Sequence, residues 1–131
     1  MPGAKTKIVV VEPDPKSLRE LESGLSTYYH VILVPQFDRA LSVLKSERDV
    51  RAAVVATAKG VDVLGLFDVV RRDCPRILRV LLTEFEDLSQ LVEGLHSGAV
   101  QRVVSKPLQH AELLGTVPIT PQPGGNFEHA A

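Results

Sequence analysis

Five apolar, β-branched runs recur along this chain, and a different pattern fills each gap between them. The runs are KIVVV at 7–11, HVILV at 30–34, AAVVAT at 52–57, ILRVLLT at 77–83 and VQRVVS at 100–105. The most apolar of them do not alternate strictly, which points to strands buried on both faces, as in a parallel sheet. The gaps carry helical spacing. Leu18, Leu21, Leu25 and Tyr28 fall on one helical stripe. Ala40, Leu41 and Leu44 mark a second segment, Leu64, Phe67, Val70 and Arg71 a third, and Leu88, Leu91, Val92 and Leu95 a fourth. Gly98 supplies a stop for the fourth helix, Pro75 follows the third, and KPLQHAELL opens a fifth. Such alternation predicts right-handed crossovers and an α/β fold with a doubly wound, five-stranded parallel sheet.

The bulk numbers bound the rest. A length of 131 residues suits one domain, and a hydrophobic content of 44% is enough for an ordinary core. A formal net charge of −1 gives no general pull toward nucleic acid or a membrane surface, so neither is expected as a partner. No apolar run approaches the roughly 18–20 residues of a membrane span. The polar start MPGAKTK leads into no signal-peptide hydrophobic region, and a single cysteine excludes an intrachain disulfide. A soluble, cytoplasmic domain is the expectation. From Gly115 the stretch GTVPITPQPGGNFEHAA is rich in proline and glycine and reads as a linker or tail. The predicted division is therefore a domain over 5–114 and a tail over 115–131, with the fifth helix cut to about two turns.

In open sheets of this kind ligands sit beyond the carboxyl ends of the strands. That singles out Glu12, Pro13 and Asp14 after the first strand, and Thr57 after the third. It adds Thr83 and Glu84 after the fourth, and Ser105, Lys106 and Pro107 after the fifth. The EPDP at 12–15 has the look of an acidic loop with a proline where a second acid would stand. Other constellations carry less. RRDCPRILR holds arginines at 71, 72, 76 and 79 without interleaved aromatics, and reads as a solvated helix end. Cys74 reads as buried packing. His30, His96, His110 and His129 have no metal-ligand spacing, and GVDVLGL lacks the Lys-Ser/Thr of a phosphate-binding loop.

These positions bring a family into view. RVLLTEFEDLSQLVEGLHSGAVQRVVSKPLQHAEL at 79–113 and PDPKSLREL at 13–21 resemble the receiver domain of bacterial two-component response regulators, and the resemblance runs from about residue 5 to 114. It implies a flavodoxin-like (βα)5 fold in which acids bind Mg²⁺ and an aspartate ending the third strand accepts a phosphoryl group. It also implies a threonine or serine ending the fourth strand, an aromatic switch in the fifth, and a lysine before a cis-type proline. Glu12 falls at the first acid of the metal pair and Pro13 at the second. Asp14 matches the acid that often follows, and Pro15 the helix-opening proline. Thr57 falls where the phosphoacceptor aspartate belongs, Thr83 at the switch hydroxyl and Val103 at the aromatic switch. Lys106 and Pro107 match the Lys-Pro pair.

The departures fall where the chemistry should be. Mg²⁺ wants several oxygen ligands, with carboxylates neutralising its charge. Glu12 and Asp14 are weak candidates, so Mg²⁺ binding and other cofactors are not expected. An acyl-phosphate needs a carboxylate nucleophile, which Thr57 is not. Lys106 is expected to pair with Glu12 instead. Val103 is stiff at χ1 and has no aromatic lever. The resulting expectation is a degenerate receiver, or pseudo-receiver. It would be a non-enzymatic protein–protein interaction module in bacterial signalling, using the face of helix 4, strand 5 and helix 5 toward a protein partner or a second copy. Two other readings stay open: an atypical phosphorylatable switch using Asp14 or Asp62, and a small-molecule-sensing domain.

Overall fold

The computed structural model describes residues 5–84, 88–108 and 110–118, with no side-chain description at 88–90 and 110. Five strands run β1 Thr6–Val11, β2 Tyr29–Val34, β3 Val50–Ala56, β4 Leu78–Thr83 and β5 Arg102–Ser105. The helices are α1 Pro15–Leu25, α2 Ala40–Ser46, α3 Val63–Asp73, α4 Leu88–Ser97 and α5 His110–Thr116, with a 3₁₀ turn at Phe37–Arg39 before α2. All four strand pairings are parallel, and the order across the sheet is β2-β1-β3-β4-β5. This is the doubly wound, flavodoxin-like arrangement expected from the alternation of patterns.

The near-continuous apolar runs are explained by burial on both faces. In β1, Ile8 and Val10 point to one core, and Val9 and Val11 to the other. β3 does the same with Ala52, Val54 and Ala56 against Ala53 and Val55. One core is completed by Leu21 and Leu25 of α1 and Leu113 of α5. The other takes Ala40 and Leu44 of α2 and Val63, Phe67 and Val70 of α3. The third predicted stripe therefore shifts: Val63 is buried at the start of the helix, and Arg71 is exposed on the far side.

Four further expectations change. Part of the fourth stripe turns away from the core: Val92 is 64% exposed and Leu95 48%, while Leu91 is half-buried. The contact is made instead by Gly94, where an added Cβ would stand 2.8 Å from both Leu64 and Val100 side-chain carbons. Backbone approach this close needs glycine, and it rotates the larger residues outward. Leu88, the first member of that stripe, lies outside the described side chains. Gly98 ends α4 with φ +86°, the left-handed conformation a helix stop favours.

Arg79 is not part of a solvated helix end. It sits in β4 at 5% exposure, its Nε donating to Ala99 O at 2.8 Å and its Nη2 to Gly98 O at 3.2 Å. Cys74 is half-buried at the end of α3 rather than enclosed. At the carboxyl end, α5 runs through Thr116 and Val117 is buried, so the packed unit reaches past residue 114. The Tyr29 hydroxyl of β2 donates to the Val117 carbonyl, which ties this end to the opposite edge of the sheet.

Candidate functional site at the carboxyl edge of the sheet

Three backbone N–H groups carry the sheet ladder one step past its strands. Glu12 N donates to Val34 O at 3.1 Å, Thr57 N to Leu82 O at 2.9 Å, and Lys106 N to Thr83 O at 2.9 Å. This continuation fixes where Glu12, Thr57 and Lys106 leave the sheet, so their placement at one edge follows from the register of buried strands. The parallel order puts the ends of β1, β3, β4 and β5 side by side, the β1/β3 junction being where the strand order reverses.

Glu12 is 1% exposed and belongs among the buried side chains. Its Oε1 lies 3.0 Å from Lys106 Nζ, and its Oε2 accepts from Asp14 N at 3.1 Å. The ammonium compensates the charge of Oε1 but is out of line for a hydrogen bond, so that oxygen has charge compensation without an aligned donor. The Lys106–Pro107 peptide is cis.

Asp14 does something the sequence reading did not assign. It is the N-cap of α1, its Oδ2 accepting from Ser17 N at 2.9 Å with Pro15 following at the first helical position. The Ser17 N–H holds its carboxyl below the ordinary carboxylate range, with smaller help from Lys106 and Lys16. Asp62 has the same occupation at α3, where its Oδ1 accepts from Gly65 N at 2.9 Å. The signal was present in the order of residues, an aspartate followed by proline or by the first apolar residue of a helical stripe.

Thr57 is half-buried just after β3, its hydroxyl 3.4 Å from that of Thr83. The Thr83 hydroxyl donates in turn to Glu84 O at 3.0 Å. Pro13 is exposed beside Glu12, and Val103 in β5 packs half-buried against the core under α3. The edge thus brings together Glu12, Thr57, Thr83 and Lys106, while Asp14 turns into its own helix and Val103 lies beneath. The described oxygen donors at this edge are of three kinds. Glu12 is paired with an ammonium, Asp14 is a cap, and Thr57 offers a neutral hydroxyl. Among the described residues no three His, Cys, Asp or Glu side chains come together as a metal set.

Comparison with known proteins gives the fold a name. No family model matches the chain, and no curated protein matches it in sequence. Solved structures do. The signal receiver domain of an HD domain-containing protein from Pseudomonas fluorescens Pf-5 is similar at a TM-score of 0.72 and 28% identity, over 83% of this chain and 88% of that one. The chain has the fold of a response-regulator receiver domain. A CheY-like receiver domain protein from Methanospirillum hungatei JF-1 aligns at a TM-score of 0.73 and 18% identity, over 85% and 89% of the two chains. A structure described as adenylate cyclase from Rhodopirellula baltica aligns at 0.75 and 23%, over 84% and 82%. Within this receiver fold, the edge that holds Glu12, Thr57, Thr83 and Lys106 is the one where the strands end.

Proposed function

We propose that this receiver-fold chain is a phosphorylation-independent interaction module in a bacterial signalling system. The observation that carries the reading is Thr57. The position that the resemblance gives to the phosphoryl-accepting aspartate holds a hydroxyl, and that hydroxyl contacts Thr83. A carboxylate attacks a phosphoryl group as an anion, whereas a threonine hydroxyl must first lose its proton to a base. Lys106 supports the same reading. Its ammonium already compensates a buried carboxylate, so the pocket holds its charges together without a phosphoryl group. Asp14 and Asp62, the acids an atypical acceptor would use, serve as helix caps. Mg²⁺ has no role in this proposal.

The partner surface we assign is the face of α4, β5 and α5, toward another protein or a second copy. Val92 and Leu95 put exposed apolar area on α4, where receivers commonly meet their partners. The test is incubation with Mg²⁺ and a small phosphodonor, followed by intact mass. The expected result is an unchanged mass. Gain of one phosphoryl group on Thr57, Asp14 or Asp62 would sink the proposal and make that residue the centre of the mechanism.

A further inference from the structure

A cavity opens beside the strand-end cluster, between α1 and the connection from β5 to α5. Its volume is about 290 Å³. That is near the lower end of ligand pockets and corresponds to the liquid volume of about ten waters. It lies apart from Thr57 and Thr83, which do not line it. Two kinds of surface meet there. Leu21, Leu82 and Leu108 give it an apolar wall, while Glu12, Glu20, Glu84 and Lys106 give it charge. Among the described residues, three carboxylates against one ammonium leave the cavity acidic.

Glu12 is the decisive member. Its side chain is 2% exposed, lines the cavity, and has at Oε1 a charge partner without an aligned hydrogen-bond donor. A buried carboxylate oxygen in that condition gains from any additional N–H donor. Glu20 and Glu84 are exposed and stand at the rim, where they raise the local concentration of cations. An inorganic dication would leave the leucine wall unused. An anion would meet Lys106 but also three carboxylates.

We propose that this cavity binds a small organic cation, a protonated amine on an aliphatic body of up to about ten heavy atoms. The ammonium donates to Glu12 Oε1 and shares that carboxylate with Lys106. The aliphatic part lies against Leu21 and Leu108. The inference does not depend on how the chain signals, because it needs neither phosphorylation nor a protein partner.

The experiment is a ¹⁵N–¹H NMR titration of the full chain with n-pentylamine, n-pentanol and sodium pentanoate at neutral pH. Pentylammonium is expected to give saturable shifts at Glu12, Leu21 and Leu108, with a dissociation constant of about 1–10 mM for so small a probe. Pentanol is expected to bind several-fold more weakly, and pentanoate more weakly still. The double variant Glu20→Gln/Glu84→Gln removes only exposed charges and is expected to weaken pentylammonium by about two- to ten-fold. Lys106→Met is expected to tighten it, since one competitor for the Glu12 carboxylate is gone. Equal binding of all three probes would overturn the proposal by reducing the cavity to an apolar cleft. Preference for pentanoate would overturn it by making Lys106 the anchor. Saturation without response to the rim variant, or no saturation at these residues, would also overturn it.

Discussion

At the scale of single residues, Glu12 and Lys106 carry the largest electrostatic stake. Lys106→Met leaves the buried carboxylate without its cation. Losing one partner of a fully buried pair costs about 3–5 kcal/mol. The Lys106 side chain is 22% exposed, so solvent reaches the pair and about 1–3 kcal/mol is expected in urea denaturation. Glu12→Gln should cost less, because an amide oxygen can still accept from Asp14 N. Tyr29 makes a prediction in pH. Burial pushes its phenol up to about 12 from 10, so the folded protein keeps a proton that the unfolded chain releases. Stability from this group is complete below pH 10 and lost as pH rises toward 12. Urea midpoints measured across that window should fall, and Tyr29→Phe should remove part of the slope. At neutral pH the same variant should cost about 1 kcal/mol through the lost bond to Val117 O.

At the scale of elements, α4 is held at its carboxyl end by arginine forks. Arg79 donates to Ala99 O and Gly98 O from within β4, and Arg71 Nη1 donates to Ser97 O at 3.0 Å. The Arg71 bond satisfies a carbonyl that the helix end leaves open, and the Arg79 fork holds the turn just past it. Desolvation lowers the Arg79 pKa, with Arg71 adding a like-charge effect, but a guanidinium stays charged in proteins. Its fork reaches two carbonyls at once, which the single ammonium of lysine does not reproduce. Arg79→Lys is therefore expected to destabilise by about 1–3 kcal/mol and to lower hydrogen-exchange protection in α4 and the segment after it. Exchange measured by mass spectrometry checks both. Equal protection in variant and parent would show that the fork is dispensable. The outward rotation of α4 follows from its other face, where Gly94 admits Leu64 and Val100.

At the scale of the whole molecule, two predictions concern where the domain ends and where it meets others. Val117 is 2% exposed in the core that α1 and α5 complete. A chain ended after Leu114 should be less stable than one ended after Pro118 by about 2–4 kcal/mol, the loss of a buried valine and of part of α5. Thermal unfolding of the two truncations measures it. The apolar patch on α4 behaves differently. Val92→Asp with Leu95→Asp should change stability by no more than about 0.5–1 kcal/mol, since both side chains are exposed. The same pair should abolish self-association or partner binding measured by sedimentation, if that face is the interface. Binding unchanged by two charges would move the interface elsewhere.

The parallel sheet was legible in the sequence because burial on both faces demands apolar runs, and the order of runs and stripes leaves few ways to connect them. The cluster of Glu12, Thr57, Thr83 and Lys106 was legible for the same reason: strand ends in such a sheet converge. The threonine just past β3 could be read from the chain because it is a matter of residue type at a predicted strand end. Other features depended on contacts between segments distant in sequence. A helical stripe such as Leu91, Val92 and Leu95 records amphipathicity but not which neighbour lies against it, and with Gly94 in the contact Val92 and Leu95 face outward. Arg79 looked like its neighbours in a basic stretch until β4 carried it under the Gly98 and Ala99 carbonyls. Val117 looked like tail until Tyr29, 88 residues away, bound its carbonyl. Local pattern and residue type were enough to set strand burial, helix positions and the chemistry available at the edge. The free face of α4, the burial of Val117 beyond residue 114 and the cavity beside Glu12 came from the folded molecule alone, because they depend on which distant surfaces meet.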